Sequence, residues 1–157
     1  MMQRRDFIKG SLLLSAAALF NPELYRHRLL AFEEAIEITY DQAVEAFSAG
    51  KKSVDGSALI TLDIPTRPGS AVTIPVEINV KSPMNDEDYI SAIAILTTKN
   101  KVNKAVTVDL SPANGMAYLF ANIKLGETQE VVVLAKTNKG VIYKASKKIH
   151  VALSGCE

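Results

Sequence analysis

A chain of 157 residues with 48% hydrophobic residues and a net charge of +1 carries enough apolar material for one folded domain with its own core. That charge gives no overall pull towards nucleic acid or an anionic membrane, and one cysteine with two histidines, His27 and His150, offers no pair at metal-ligand spacing. There is no nucleophile elbow, glycine-rich phosphate loop, internal repeat or low-complexity tract, so no catalytic set, metal or cofactor is expected.

The chain opens Met1-Met2-Gln3-Arg4-Arg5-Asp6-Phe7-Ile8-Lys9-Gly10, and an apolar run from Ser11 to Phe20 follows. A basic start before about ten apolar residues is too short to span a membrane and reads as an export signal. Arg4, Arg5, Phe7 and Lys9 fill the places of the twin-arginine signal, which this segment resembles. The resemblance implies a signal region over 1–30, export of a folded protein to the periplasm and no stable membrane anchor. Loss of Arg4, Arg5, Lys9 and Asp6 takes the net charge from +1 to −1. Outside the cytoplasm thiols tend to be oxidised, so a lone cysteine there points to a reactive thiol or to intermolecular pairing.

Residues 31–57 form a helical lead-in. The helical period runs from Glu23 to Gly50, with Thr39 as an N-cap and Gly50 as a stop. Ala43, Val44 and Phe47 share one face, enough to dock a short helix on something larger. Lys51 to Ser57 is a polar connector.

The period then changes to two over 58–153. Leu59 to Ile64 alternates and stops at Pro65, and Thr66-Arg67-Pro68-Gly69-Ser70 is a turn by composition. Val72, Ile74, Val76, Ile78 and Val80 alternate with polar residues, the pattern of an antiparallel strand with one wet face. Pro75 on the outward set marks an edge or bulge. Asn85-Asp86-Glu87-Asp88 reads as a solvated acidic loop, and Met84 and Met116 as packing residues. Further strands are expected over Tyr89–Thr98 (Ile93 and Ile95 on one face), Ala105–Leu110, Met116–Leu125, Gln129–Lys136 and Val141 to about Leu153, the last with an irregularity at Ala145-Ser146. Thr137-Asn138-Lys139-Gly140 is a hairpin connection. About seven short strands with turn signals every eight to twelve residues predict a mainly β protein, an immunoglobulin-like antiparallel β-sandwich preceded by a short N-terminal helix.

The chain ends Leu153-Ser154-Gly155-Cys156-Glu157. A thiol one residue from the end of the chain is not a core residue, and Gly155 removes bulk beside it. Ser154, Gly155 and Glu157 therefore form, with Cys156, a tip expected to present the sulfur to solvent. The carboxylates of Glu157 disfavour the thiolate, so the thiol pKa should exceed that of a cysteine between glycines.

Several stretches resemble the SoxY family, sulfur carriers of the bacterial Sox thiosulfate-oxidising system. They include Phe47-Ser48-Ala49-Gly50-Lys51, Ser82-Pro83-Met84, Ile123-Lys124-Leu125-Gly126-Glu127-Thr128-Gln129 and Ser146-Lys147-Lys148-Ile149-His150-Val151. The twin-arginine signal fits the family too. The family's carrier motif is Gly-Gly-Cys-Gly-Gly, and here Gly155 and Cys156 match it. Ser154 replaces the other preceding glycine, Glu157 replaces the following one, and the last glycine is missing.

The resemblance implies a substrate carrier, not an enzyme, with Cys156 as the point of covalent sulfur attachment. It implies a heterodimer with a SoxZ-like small β-sandwich subunit. It also implies a haem-containing thiosulfate-coupling enzyme and a sulfate-releasing hydrolase as partners. Two other readings stand beside it. One is an exported sandwich that binds a protein or ligand through its loops, its cysteine incidental. The other is a thiol-disulfide enzyme, which the lack of a second cysteine disfavours.

Overall fold

The computed structural model describes residues 38–152. The segment 1–37 lies outside the described residues, so the expected signal and the helical reading of Glu23 to Glu37 are not addressed by it.

Helix α1 spans Tyr40–Ser48 and starts where the sequence indicates. Thr39 accepts from the Gln42 N–H at 3.3 Å and donates its own N–H to Gln42 Oε1 at 3.0 Å, a reciprocal capping box. The stop comes one residue before Gly50. Ala49 already takes the left-handed conformation (φ 51°) and donates its N–H to Glu45 O at 2.8 Å, and Gly50 follows at φ 78°.

Eight strands follow: β1 (Ser53–Asp55), β2 (Ile60–Asp63), β3 (Ile74–Val80), β4 (Ile90–Thr97), β5 (Lys104–Asp109), β6 (Ala117–Ile123), β7 (Gln129–Thr137) and β8 (Ile142–Ile149). They form a five-stranded sheet in the order β1-β8-β7-β4-β5 and a three-stranded sheet in the order β2-β3-β6. The expected antiparallel sandwich is present, with one exception. The polar connector contains β1, which pairs in parallel with β8 through Ser53↔Ile142 to Asp55↔Lys144.

Between the sheets lies the main core. Ile74, Val76, Ile78 and Val80 of β3 face Ile93 and Ile95 of β4 and Val131 and Val133 of β7, all fully or almost fully buried. Each such aliphatic side chain contributes roughly 1.5–3 kcal/mol by leaving water. Val72 reads as part of the same alternation, but β3 begins at Ile74 and Val72 is 64% exposed.

The other face of the large sheet is covered by α1. Ala43 packs with Ala94, Leu96, Val132, Leu134 and Ile142, and Val44 and Phe47 flank it. The helix face read from the sequence is the docked face. Asn103 holds the helix entry with its side-chain amide: Oδ1 accepts from the Tyr40 N–H at 3.0 Å, and Nδ2 donates to Thr97 O and Asn100 O at 2.7 and 2.8 Å.

Three local expectations are refined. Pro75 lies in the central strand of the small sheet, opposite Asn122. The Lys81 N–H donates to Leu59 O, so alternate residues back to position 75 face β2, and β2 ends at Asp63 opposite Glu77. The missing N–H of Pro75 thus points past the end of its neighbour, where no ladder bond is forfeited. The β7–β8 register runs unbroken through Ala145 and Ser146, without the expected irregularity. Met84 is buried in the core as expected, whereas Met116 precedes β6 and is 57% exposed, so it is not a packing residue.

Candidate functional site: the end of the sandwich where the last strand leaves

The β7–β8 ladder closes with Gln129 opposite Ile149. Beyond it the last strand separates from β7. The His150 N–H donates to Thr66 O at 2.8 Å, in the β2–β3 connection. His150 is exposed and follows the strand directly. The side chain of Val151 is 9% exposed and belongs to the core. Its N–H donates to Thr128 Oγ1 at 3.1 Å, and its carbonyl accepts from the same hydroxyl at 3.4 Å. Ala152 is exposed and is the last described residue.

A polar network fixes the hairpin that carries Thr128. Gln129 is 2% exposed. Its Oε1 accepts from the Lys99 N–H at 2.8 Å, and its Nε2 donates to Asn100 Oδ1 at 2.8 Å and to Glu127 O at 3.2 Å. Asn100 Oδ1 also accepts from the Gly126 N–H at 3.0 Å, and Asn100 Nδ2 donates to Lys124 O at 2.7 Å. The β4–β5 and β6–β7 connections are thereby locked together, with the buried amide satisfied at both ends.

Charge at this end is uneven. Exposed Arg67, Lys99, Lys101, Lys124 and Lys148 stand against Asp63, Glu127 and Glu130, with Lys99 and Glu127 ion-paired at 3.6 Å. A locally positive rim raises the concentration of oxyanions around it, an effect the whole-chain charge conceals. The acidic loop lies away from this rim. There Asn85 Oδ1 accepts from the Glu87 and Asp88 N–H groups at 3.1 and 2.8 Å, and Lys139 pairs with Asp88 at 3.6 Å.

Among the described residues two titrating groups depart from their ordinary values, neither at this end. Bonds from the Ser57 N–H and hydroxyl hold the Asp55 carboxyl below its ordinary range, and desolvation together with the Glu77 carboxylate raises Tyr118. A groove of about 550 Å³ opens between β1, β8 and β2, lined partly by Ser53, Asp55, Ser57, Lys144 and Ser146. Among the described residues no group of three or more His, Cys, Asp or Glu side chains is placed to hold a metal ion.

Cys156, Ser154, Gly155 and Glu157 lie outside the described residues, as do Arg4, Arg5, Phe7 and Lys9. From Val151 to Cys156 is five residues, a contour of at most about 17 Å. The residues that sequence reasoning missed are Thr128, Gln129 and Asn100. Thr128 and Gln129 fall in one of the stretches that resembles the SoxY family, and no periodicity marks their polar contacts.

Fold and site together define a two-sheet β-sandwich whose final strand is fastened at one end and continues into a short cysteine-bearing segment. The family model of sulfur oxidation protein SoxY matches residues 44–156, and the chain belongs to that family. No curated protein matches it. Among solved structures it is similar to the sulfur carrier protein SoxY from Chlorobium limicola f thiosulfatophilum, at 20% identity and a TM-score of 0.59 over 72% of this chain and 96% of that one. It is also similar to the superoxide reductase (neelaredoxin) from Ignicoccus hospitalis, at 14% identity and a TM-score of 0.55 over 76% of this chain and 98% of that one. At these identities both likenesses speak for the fold alone.

Proposed function

We propose that the protein carries a sulfur substrate bound covalently to the thiol of Cys156 and presents it to partner enzymes of thiosulfate oxidation. The observation that carries this reading is the extent of the family match, which ends on Cys156 itself. The fold supports it: the chain is fastened at Val151, and Cys156 is the fifth residue after that point. A cargo that must enter other proteins' active sites needs a nucleophilic attachment with little bulk beside it, which Cys156 next to Gly155 offers.

In this reading a haem-containing partner joins the Cys156 thiolate to the outer sulfur of thiosulfate and accepts the two electrons released. A hydrolase then uses water to split off the sulfone as sulfate, leaving a persulfide on the cysteine for further partners. The carrier itself catalyses no step. It works in the periplasm after twin-arginine export and pairs with a SoxZ-like β-sandwich subunit. Exposed Tyr118 and Phe120 on β6 provide apolar surface of the kind such a pairing covers.

Intact-mass spectrometry of the protein from its native cells tests the proposal. A ladder of sulfur, thiosulfonate or thiosulfate adducts on Cys156 is expected. A population consisting only of free thiol, glutathione adduct or disulfide dimer would instead favour a binding module with an incidental cysteine. Co-expression with the SoxZ-like subunit followed by size-exclusion chromatography tests the pairing, and a monomer that ignores that subunit would overturn it.

A further inference from the structure

We infer that Thr128 is a positioning residue whose hydroxyl sets where the carrier arm begins, and so how far Cys156 reaches. The inference rests on the carrier reading above. Three observations lead to it.

The first is where the ladder stops. In the register that ends at Gln129↔Ile149, Val151 would face Glu127, but no backbone bond joins the two, while His150 between them faces away from β7 like alternate residues before it and donates its N–H to Thr66 O. Val151 therefore has no backbone partner on β7. The second is what replaces that partner. One hydroxyl accepts from the Val151 N–H at 3.1 Å and donates to its C=O at 3.4 Å, so a side chain takes over two ladder bonds. The third is that the hydroxyl is mounted on a rigid support. The residue after it, Gln129, is buried and tied to Asn100, Lys99 and Glu127.

Without the hydroxyl, Val151 keeps an apolar side chain that favours the core but has an N–H and a C=O without partners there. The penalty for such unpaired groups is of the same size as the gain from burying a valine. The valine is then no longer held firmly, and the fastening point retreats towards Ile149. The contour from the fastening point to Cys156 lengthens by up to two residues, or up to about 7 Å. A longer arm dilutes its own tip: effective concentration falls roughly as the −3/2 power of length, about 1.7-fold for seven residues in place of five. Loss of orientation at the root adds to that.

The test uses the full chain with spin labels on Cys156 and on a second cysteine at exposed position 122 (Asn122→Cys, in β6), read by pulsed electron–electron resonance. Thr128→Val should broaden the distance distribution and extend its long end, and Thr128→Ser should restore it. Melting by circular dichroism establishes that each variant is folded. The same distribution for the wild type and Thr128→Val would overturn the inference.

The functional arm of the test is sulfur loading by the partner enzymes. Thr128→Val should load about twofold or more slowly, while a small alkylating reagent reacts with Cys156 at the wild-type rate. Deleting Ser154 should slow the wild type yet speed Thr128→Val, a reversal of sign that a purely structural role does not produce. Deletion effects of equal sign in both backgrounds would overturn the inference. If the wild type is loaded by no partner, the carrier reading fails, and the distance distributions alone decide the role of Thr128.

Discussion

Gln129→Leu probes the polar lock behind the exit of the last strand. Leucine keeps the approximate length and volume but removes both polar atoms of the amide. Three hydrogen bonds disappear: from the Lys99 N–H, to Asn100 Oδ1 and to Glu127 O. At about 0.5–1.5 kcal/mol each, the gross loss is roughly 1.5–4.5 kcal/mol. Lys99 and Glu127 are exposed residues, so water can reach part of what the substitution strands, and the Gly126 N–H still satisfies Asn100 Oδ1. The net loss should therefore sit in the lower half of the range, about 2 kcal/mol. For a domain of this size about 1 kcal/mol moves the melting temperature by roughly 4 °C, so the midpoint should fall by about 8 °C. Urea unfolding followed by circular dichroism should show the lower midpoint at an unchanged slope. Because Gln129 adjoins Thr128, amide hydrogen exchange at Val151 should quicken as well. A stability loss below about 0.5 kcal/mol, the level of an ordinary surface substitution, would refute the argument that this amide is a satisfied structural lock.

Cys156→Ser should leave the melting temperature within experimental error and abolish sulfur loading; a drop of many degrees would show that the cysteine serves the fold. Gly56→Ala should destabilise by about 1–3 kcal/mol in thermal melts, as overpacking does. The new Cβ would sit 2.8 Å from the Cβ of Tyr143 and 3.1 Å from the Lys144 nitrogen, where β1 meets β8, and an unchanged melt would remove that steric account. Asp55 gives a pH prediction. Its carboxyl is held below its ordinary 3.8 by the Ser57 N–H and hydroxyl, so its contribution is complete above that pH and is lost as pH falls through the lower folded value. The stability gap between the wild type and Asp55→Asn should close in acid, and a gap independent of pH would contradict the pairing.

Much of the fold is legible where one face of an element is wet. Strand β3 alternates because its outer face meets solvent, and Thr39 announces α1 because its hydroxyl has a local partner three residues on. Legibility fails where contacts are distant or both faces are covered. In β7, Val131-Val132-Val133-Leu134 is continuous because the small sheet takes one face and α1 the other, so no alternation shows which side chain goes where. Strand β1 is three exposed residues with no periodicity, paired to the far end of the chain. The candidate site divides in the same way. Cys156 is conspicuous as the sole cysteine, set one residue from the chain's end. Its anchorage is not, since Thr128 and Val151 meet only through folding, and the basic rim is assembled from separate connections.

The position of β8 bears on how the protein is made. Among the described residues it is the last strand in chain order, yet it lies inside the sheet, between β1 and β7. A chain that lacks residues from Ile142 onward has no partner for β1 and leaves β7 as a bare edge, so the large sheet cannot close before β8 is made. Closure must await residues 142–149: β7–β8 is a local hairpin, but β1–β8 joins distant parts of the chain, the kind of pairing that forms late. The strand that completes the sheet leads within seven residues to the cysteine. A chain that has closed its large sheet has therefore been made to within seven residues of the thiol.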